Sequence, residues 1–144
     1  MIDISEKEVV KREAVAEGFI SLKKATINAI LNGKVKKGNV VEASKIAGVL
    51  GAKMTPQIIP HCHPIPLESV DTQVEINEDR VTVICTVKAR YKTGVEMEAL
   101  TCVNSMLLTI WDMVKYLEKD KMGQYPNTQI SGIKVQMKKK SKNW

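Results

Sequence analysis

Aromatic residues are scarce, two Trp, three Tyr and one Phe in 144 residues. None stands in the interleaved basic and aromatic spacing of an RNP-type platform, so nucleic acid is not expected as a partner. The three cysteines, Cys62, Cys85 and Cys102, form no CxxC pair, which excludes zinc-ribbon spacing and points to reduced thiols rather than disulfides. The longest apolar run, from Met106 to Trp111, falls far short of the ~20 residues that cross a bilayer. The opening MIDISEKEVV has no basic region followed by an apolar one, so it does not read as a signal peptide, and a cytoplasmic location is expected. No period of ~20–50 residues repeats, which excludes solenoids.

What remains is ordinary globular composition, 44% hydrophobic and 26% charged, in a chain expected to form a single domain over 1–144. Four of the six net positive charges come from Lys138, Lys139, Lys140 and Lys142. The rest of the chain is near neutral, and the tail at 138–144 reads as a basic, solvated, flexible end.

Local patterns organise the chain. Val15 to Ile20 reads as a strand, Ser21 as the cap of a short helix at 22–31, and Asn39 with Glu42 as a capping box opening a helix to Lys53. Thr55-Pro56 starts one more helical turn, which Pro60 stops. Val70, Thr72, Val74 and Ile76, then Val81, Val83, Cys85, Val87 and Ala89, alternate on either side of Asn77-Glu78-Asp79, which predicts a β-hairpin whose second strand could continue to Glu98. Leu100, Val103, Leu107, Ile110, Val114 and Leu117 form one stripe of a helix at 98–119. Ile133, Val135 and Met137 alternate as a last strand. This order predicts an α+β fold, an antiparallel sheet with helices packed on one face.

Four clusters could carry chemistry. The loop PHCHPIP at 60–66 holds both histidines. An extended backbone would put His61 and His63 on one side and Cys62 on the other; two histidines do not make a tetrahedral zinc site, whereas either is suited to general acid or base work. In KTGVEME, Glu96 and Glu98 share a face if the chain is extended, and neighbouring carboxylates push their pKa values apart. On the long helix, Asp112 and Lys115 stand one turn apart in a band with Thr101, Asn104, Ser105 and Leu108. NGKVKKGNV begins like a phosphate-binding loop but has Asn39 and Val40 where Lys and Ser/Thr are required, which excludes a Walker motif. Lys36 and Lys37 ahead of the helix that ends at Lys53 still suit an anion.

Together IAGVLGAKMT at 46–55, IPHCHP at 59–64, KTGVEMEALT at 92–101 and TIWDMVKYLEKD at 109–120 resemble the cyclic pyranopterin monophosphate synthase family, the accessory protein C of molybdenum cofactor biosynthesis. The resemblance implies a ferredoxin-like fold and a homohexamer, a trimer of dimers, with active sites between subunits. It implies conversion of the 3′,8-cyclised dihydro form of GTP to cyclic pyranopterin monophosphate with release of pyrophosphate. By motif, Asp112 and Lys115 match the catalytic pair; Lys53, His63, Glu96 and Glu98 match further site positions, and Lys37 a basic residue at the phosphate end. Cys62-His63 and Met97-Glu98 match substrate-binding positions, with His61 in the same loop. No tightly bound cofactor is implied beyond Mg2+ accompanying the triphosphate. The chain departs from the family at His61, at Asn39 and in its KKKSKNW end, where relatives carry a glycine-rich tail. The other reading of the histidine loop is a non-catalytic nucleotide- or metal-binding regulatory module.

Overall fold

The computed structural model describes residues 1–142. The elements run β1 (Val10–Ser21), α1 (Lys24–Leu31), α2 (Val40–Lys53), α3 (Thr55–Ile58), β2 (Leu67–Ile76), β3 (Arg80–Tyr91), α4 (Glu96–Glu118) and β4 (Gln129–Ser141). The strands form one antiparallel sheet in the order β2-β3-β1-β4, with the helices packed against it. This is the predicted α+β, ferredoxin-like arrangement.

Alternation builds the sheet. In β1 every second residue is buried, among them Ala14, Ala16 and Ile20, and in β3 Val81, Val83, Cys85, Val87 and Ala89 face the same way. Over them lies α4, whose Val103, Leu107, Ile110 and Val114 are fully buried, each worth roughly 1.5–3 kcal/mol of apolar transfer before ordering costs. Gly18 permits the close approach, since a Cβ there would come within 3.0 Å of Val103, Leu107 and Ile133. Likewise α2 crosses α4 through Gly48 and Gly51: a Cβ on Gly51 would sit 2.1 Å from Ser105 Oγ. Glu118, at the end of α4, is fully buried and satisfied, accepting from the Lys23 amide (3.0 Å) and from the hydroxyls of Thr26 and Thr128. It ties α1 and the loop before β4 to the long helix.

Several local expectations change. Ser21 ends β1 rather than capping α1, whose N-cap is Lys23 without a side-chain bond. The Asn39 capping box holds, with the side chain accepting from the Glu42 amide at 3.0 Å. β3 stops at Tyr91, and α4 begins at Glu96, so Glu96 and Glu98 lie in one helical turn and point in different directions instead of sharing a face. Residues 138–141 complete β4 along β1 and are not a frayed end; the last two residues of that expectation lie outside the described residues. The cysteines are corrected too. Cys85 and Cys102 form a disulfide, with Cα atoms 6.2 Å apart, and only Cys62 is free. The sequence hides the pairing because it arises when the inner face of β3 meets the inner face of α4. No helix among the described residues is long and apolar enough to cross a membrane.

Candidate functional site

Chemistry-bearing residues gather at two places along α4. At its start, the histidine loop, the 93–97 segment and the N-terminal residues enclose a cavity of about 830 Å³ lined by His61, Cys62, His63, Glu96 and Met97, with Lys7 at its rim. The loop is held to the N-terminal segment: His63 Nε2 lies 2.7 Å from the Ile2 carbonyl oxygen, and Lys92 Nζ donates to the Ser5 carbonyl at 3.2 Å.

The two carboxylates here have opposite environments. Glu98 is 1% exposed; its Oε2 accepts from Cys62 Sγ at 3.6 Å, and Oε1 is buried without a partner. Burial raises the Glu98 pKa above the usual range, with the Glu96 charge pushing the same way, so its neutral form is more favoured than that of an exposed glutamate. Burial, then the Glu98 charge, pushes the Cys62 thiol up to about 11. Cys62 is therefore an S–H donor at neutral pH, not a thiolate nucleophile. Burial also acts to raise Glu96. The Lys138 ammonium, 2.6 Å away, its own backbone N–H and the Arg12 charge outweigh it and hold Glu96 below the usual range. One acid is thus disposed to carry a proton and its neighbour to remain ionised.

The second cluster lies further along the helix. Lys37 Nζ donates to Asp112 Oδ2 at 3.0 Å and to the Asp112 carbonyl at 3.1 Å, and Lys115 Nζ stands 3.3 Å from Asp112 Oδ1. The hydrogen bonds from Lys37 and Lys115 keep the Asp112 carboxyl below its ordinary range. Gly33 and Gly38, at φ 65° and 113°, supply left-handed turns at either end of the loop bearing Lys37. The Lys36 amide donates to the Tyr116 hydroxyl at 2.8 Å and fixes that loop on α4. A shallower cavity of about 420 Å³, lined by Leu108, Trp111, Tyr125 and Ile130, adjoins Asp112 and Lys115.

The clusters do not meet within one protomer. Glu98 and Asp112 are fourteen residues apart on one helix, about 21 Å at 1.5 Å per residue. Lys53 ends α2 exposed and lines neither cavity. The sequence reading missed Arg12 and Lys138, the cations acting on Glu96. Their only signal was the continued alternation of β4 into its lysines, which long-range pairing with β1 turns into proximity. Among the described residues, no three His, Cys, Asp or Glu side chains converge as metal ligands.

The model of the MoaC family matches residues 1–141. A probable cyclic pyranopterin monophosphate synthase of Sulfurisphaera tokodaii is 59% identical over 135 residues, covering 94% of this chain and 89% of that protein. The protein of that name from Sulfolobus acidocaldarius is 57% identical over 141 residues, 98% of this chain and 99% of its own. That from Pyrococcus horikoshii is 53% identical over 143 residues, 99% and 90% respectively.

Proposed function

This chain belongs to the MoaC family, and on that premise we infer that it is a lyase of molybdenum cofactor biosynthesis, converting 3′,8-cyclised dihydro-GTP to cyclic pyranopterin monophosphate and pyrophosphate. One observation carries this reading: relatives bearing the synthase name match nearly the whole chain.

The reaction calls for proton transfers during ring rearrangement. It also calls for a ribose oxygen to bond to the α-phosphorus as the bond to pyrophosphate breaks. We assign Asp112 and Lys115 the proton transfers, with Lys37 holding the Asp112 carboxylate ionised. The buried Glu98 carboxyl, Cys62 as an S–H donor and the ionised Glu96 suit the mixed donor and acceptor edge of a guanine-derived ring. His61, His63 and Met97 line the same cavity. Lys53 is kept as a phosphate ligand supplied across an assembly. Magnesium would enter on the triphosphate and supply charge neutralisation; its ligands would be phosphate oxygens and water.

The separation of the clusters supports an oligomer, a hexamer built as a trimer of dimers, in which one subunit's Asp112 and Lys115 meet another's His63 and Glu98. The exposed Ile46, Leu50, Met54, Ile58 and Leu108 supply apolar surface for such contacts. The cytoplasm is the compartment that suits a GTP-derived substrate. The test is to mix protein with the cyclised intermediate, with and without Mg2+, and to measure pyrophosphate and the oxidised pterin together. Coupled appearance of both is expected; tight binding with neither product would refute the synthase and favour the regulatory reading.

A further inference from the structure

Lys37 reaches Asp112 from residues 32–39, the loop between α1 and α2. Both side chains are about half exposed, and a pair of that kind is screened by solvent and orders a loop poorly. The loop itself has room to swing. Gly33 and Gly38 stand in the left-handed region at either end, with open space where a Cβ would be. Its internal bonds stay local: the Lys34 amide donates to the Ala29 carbonyl at 2.9 Å and the Gly38 amide to the Val35 carbonyl at 3.1 Å. Val35 is its one buried residue. That apolar contact holds the middle of the loop to the core but has no direction, so it does not set where the next two lysines point.

Tyr116 supplies the direction. Its hydroxyl accepts from the Lys36 amide at 2.8 Å, and the Lys36 ammonium lies 5.4 Å from the centroid of its ring, within cation–π range. One side chain therefore holds both the main chain and the side chain of Lys36. Asp112 and Tyr116 are four residues apart on α4, which stacks them on one face a single turn apart. Two consecutive loop residues thus grip two consecutive turns of the helix, Lys36 on Tyr116 and Lys37 on Asp112 at 3.0 Å. The Tyr116 ring packs against the core, so its hydroxyl is presented from a fixed base. The Lys37 ammonium sits on a flexible four-carbon stem, and fixing the residue before it narrows where that ammonium can go.

We propose that Tyr116 is a positioning residue: by holding the Lys36 amide it seats Lys37 against the Asp112 carboxylate. The proposal rests on the synthase reading for the reaction that Asp112 serves, and on geometry for the docking of the loop. The charged groups facing Asp112 are Lys37 from the loop and Lys115 from its own helix. The Lys37 hydrogen bond is the largest single cause that keeps the Asp112 carboxyl below its ordinary range. Without the Tyr116 hydroxyl the loop turns about Gly33 and Gly38 and Lys37 leaves. The Asp112 carboxyl then moves up toward the ordinary range, because losing a neighbouring cation disfavours the charged form.

The test follows the Asp112 carboxyl carbon by NMR through an acid titration of the intact protein, the signal being assigned by its absence from Asp112→Asn. It compares the parent with Lys37→Gln, Tyr116→Phe and Lys36→Gln. Lys37→Gln sets the full rise in the Asp112 midpoint, and Tyr116→Phe is expected to give at least about half of it. Its melting temperature should be unchanged, because Phe keeps the packed ring and the released amide is exposed. Lys36→Gln keeps the backbone amide and should titrate near the parent. With the cyclised GTP derivative as substrate, Tyr116→Phe should lower kcat about tenfold with KM within about twofold, the split produced when a reacting group is misplaced and ground-state binding is kept. An Asp112 midpoint in Tyr116→Phe equal to the parent's overturns the proposal, as does an equal shift in Lys36→Gln or an unchanged kcat in an active enzyme. A parent that releases no pyrophosphate, while Tyr116→Phe still moves the midpoint, refutes the synthase and supports the docking, so the two readings fail separately.

Discussion

Reducing the Cys85–Cys102 disulfide should measurably destabilise the protein. The bond closes a segment of sequence separation 17. Restricting the unfolded chain over a loop of that length contributes about 3 kcal/mol at 25 °C. With an unfolding entropy of ~2.1 cal/mol/K per residue, a chain of 144 residues converts this to a fall in Tm of about 10 °C. Both cysteines are fully buried beside Met106, with Cys85 Sγ 3.5 Å from Met106 Sδ, so reductant has little access to the native state. Reduction should therefore be done in denaturant, followed by refolding under reductant and a thermal melt by circular dichroism. Iodoacetamide labelling of the unfolded, unreduced chain should modify only Cys62, and all three cysteines after reduction. Three labelled thiols before reduction, or a Tm unmoved by it, would refute the reasoning.

Asp112→Asn should fold with its melting temperature intact, since the side chain is exposed, while turnover drops by about 10²–10⁴-fold; near-normal kcat would remove Asp112 from the catalytic pair. Glu98 has a pKa raised by burial, so its native state holds a proton more tightly than the unfolded chain, and its contribution is fully present below the ordinary glutamate range and lost as pH rises through the raised value. Glu98→Gln should therefore gain Tm over the parent as pH rises from the ordinary glutamate range, about pH 4, upward, and melting curves that stay parallel on that rise would contradict the raised pKa. Gly51→Ala, whose Cβ would collide with Ser105, should cost about 1–3 kcal/mol, and a Ser105→Gly partner should recover much of it in a denaturant-melt cycle. Additive effects would mean that α2 and α4 do not touch there.

The elements legible in sequence were those with a strong local period. The β2–β3 hairpin, the α4 stripe and the Asn39 cap each report a backbone preference or a single buried face, and a few neighbouring residues suffice to express it. Motif resemblance added the identities of Asp112, Lys115, His63, Glu96 and Glu98, because matched side chains can be read without coordinates. Tertiary packing decided the rest. Whether Glu96 and Glu98 share a face depended on where β3 gives way to α4, which the glutamates themselves do not signal. The Cys85–Cys102 bond and the Lys138–Glu96 pair join residues far apart in the chain, and they exist only because β3, α4, β1 and β4 lie against one another. Composition alone made the terminal lysines a solvated tail; their pairing with β1 made them the end of β4, since burial and neighbouring charge are properties of the packed chain.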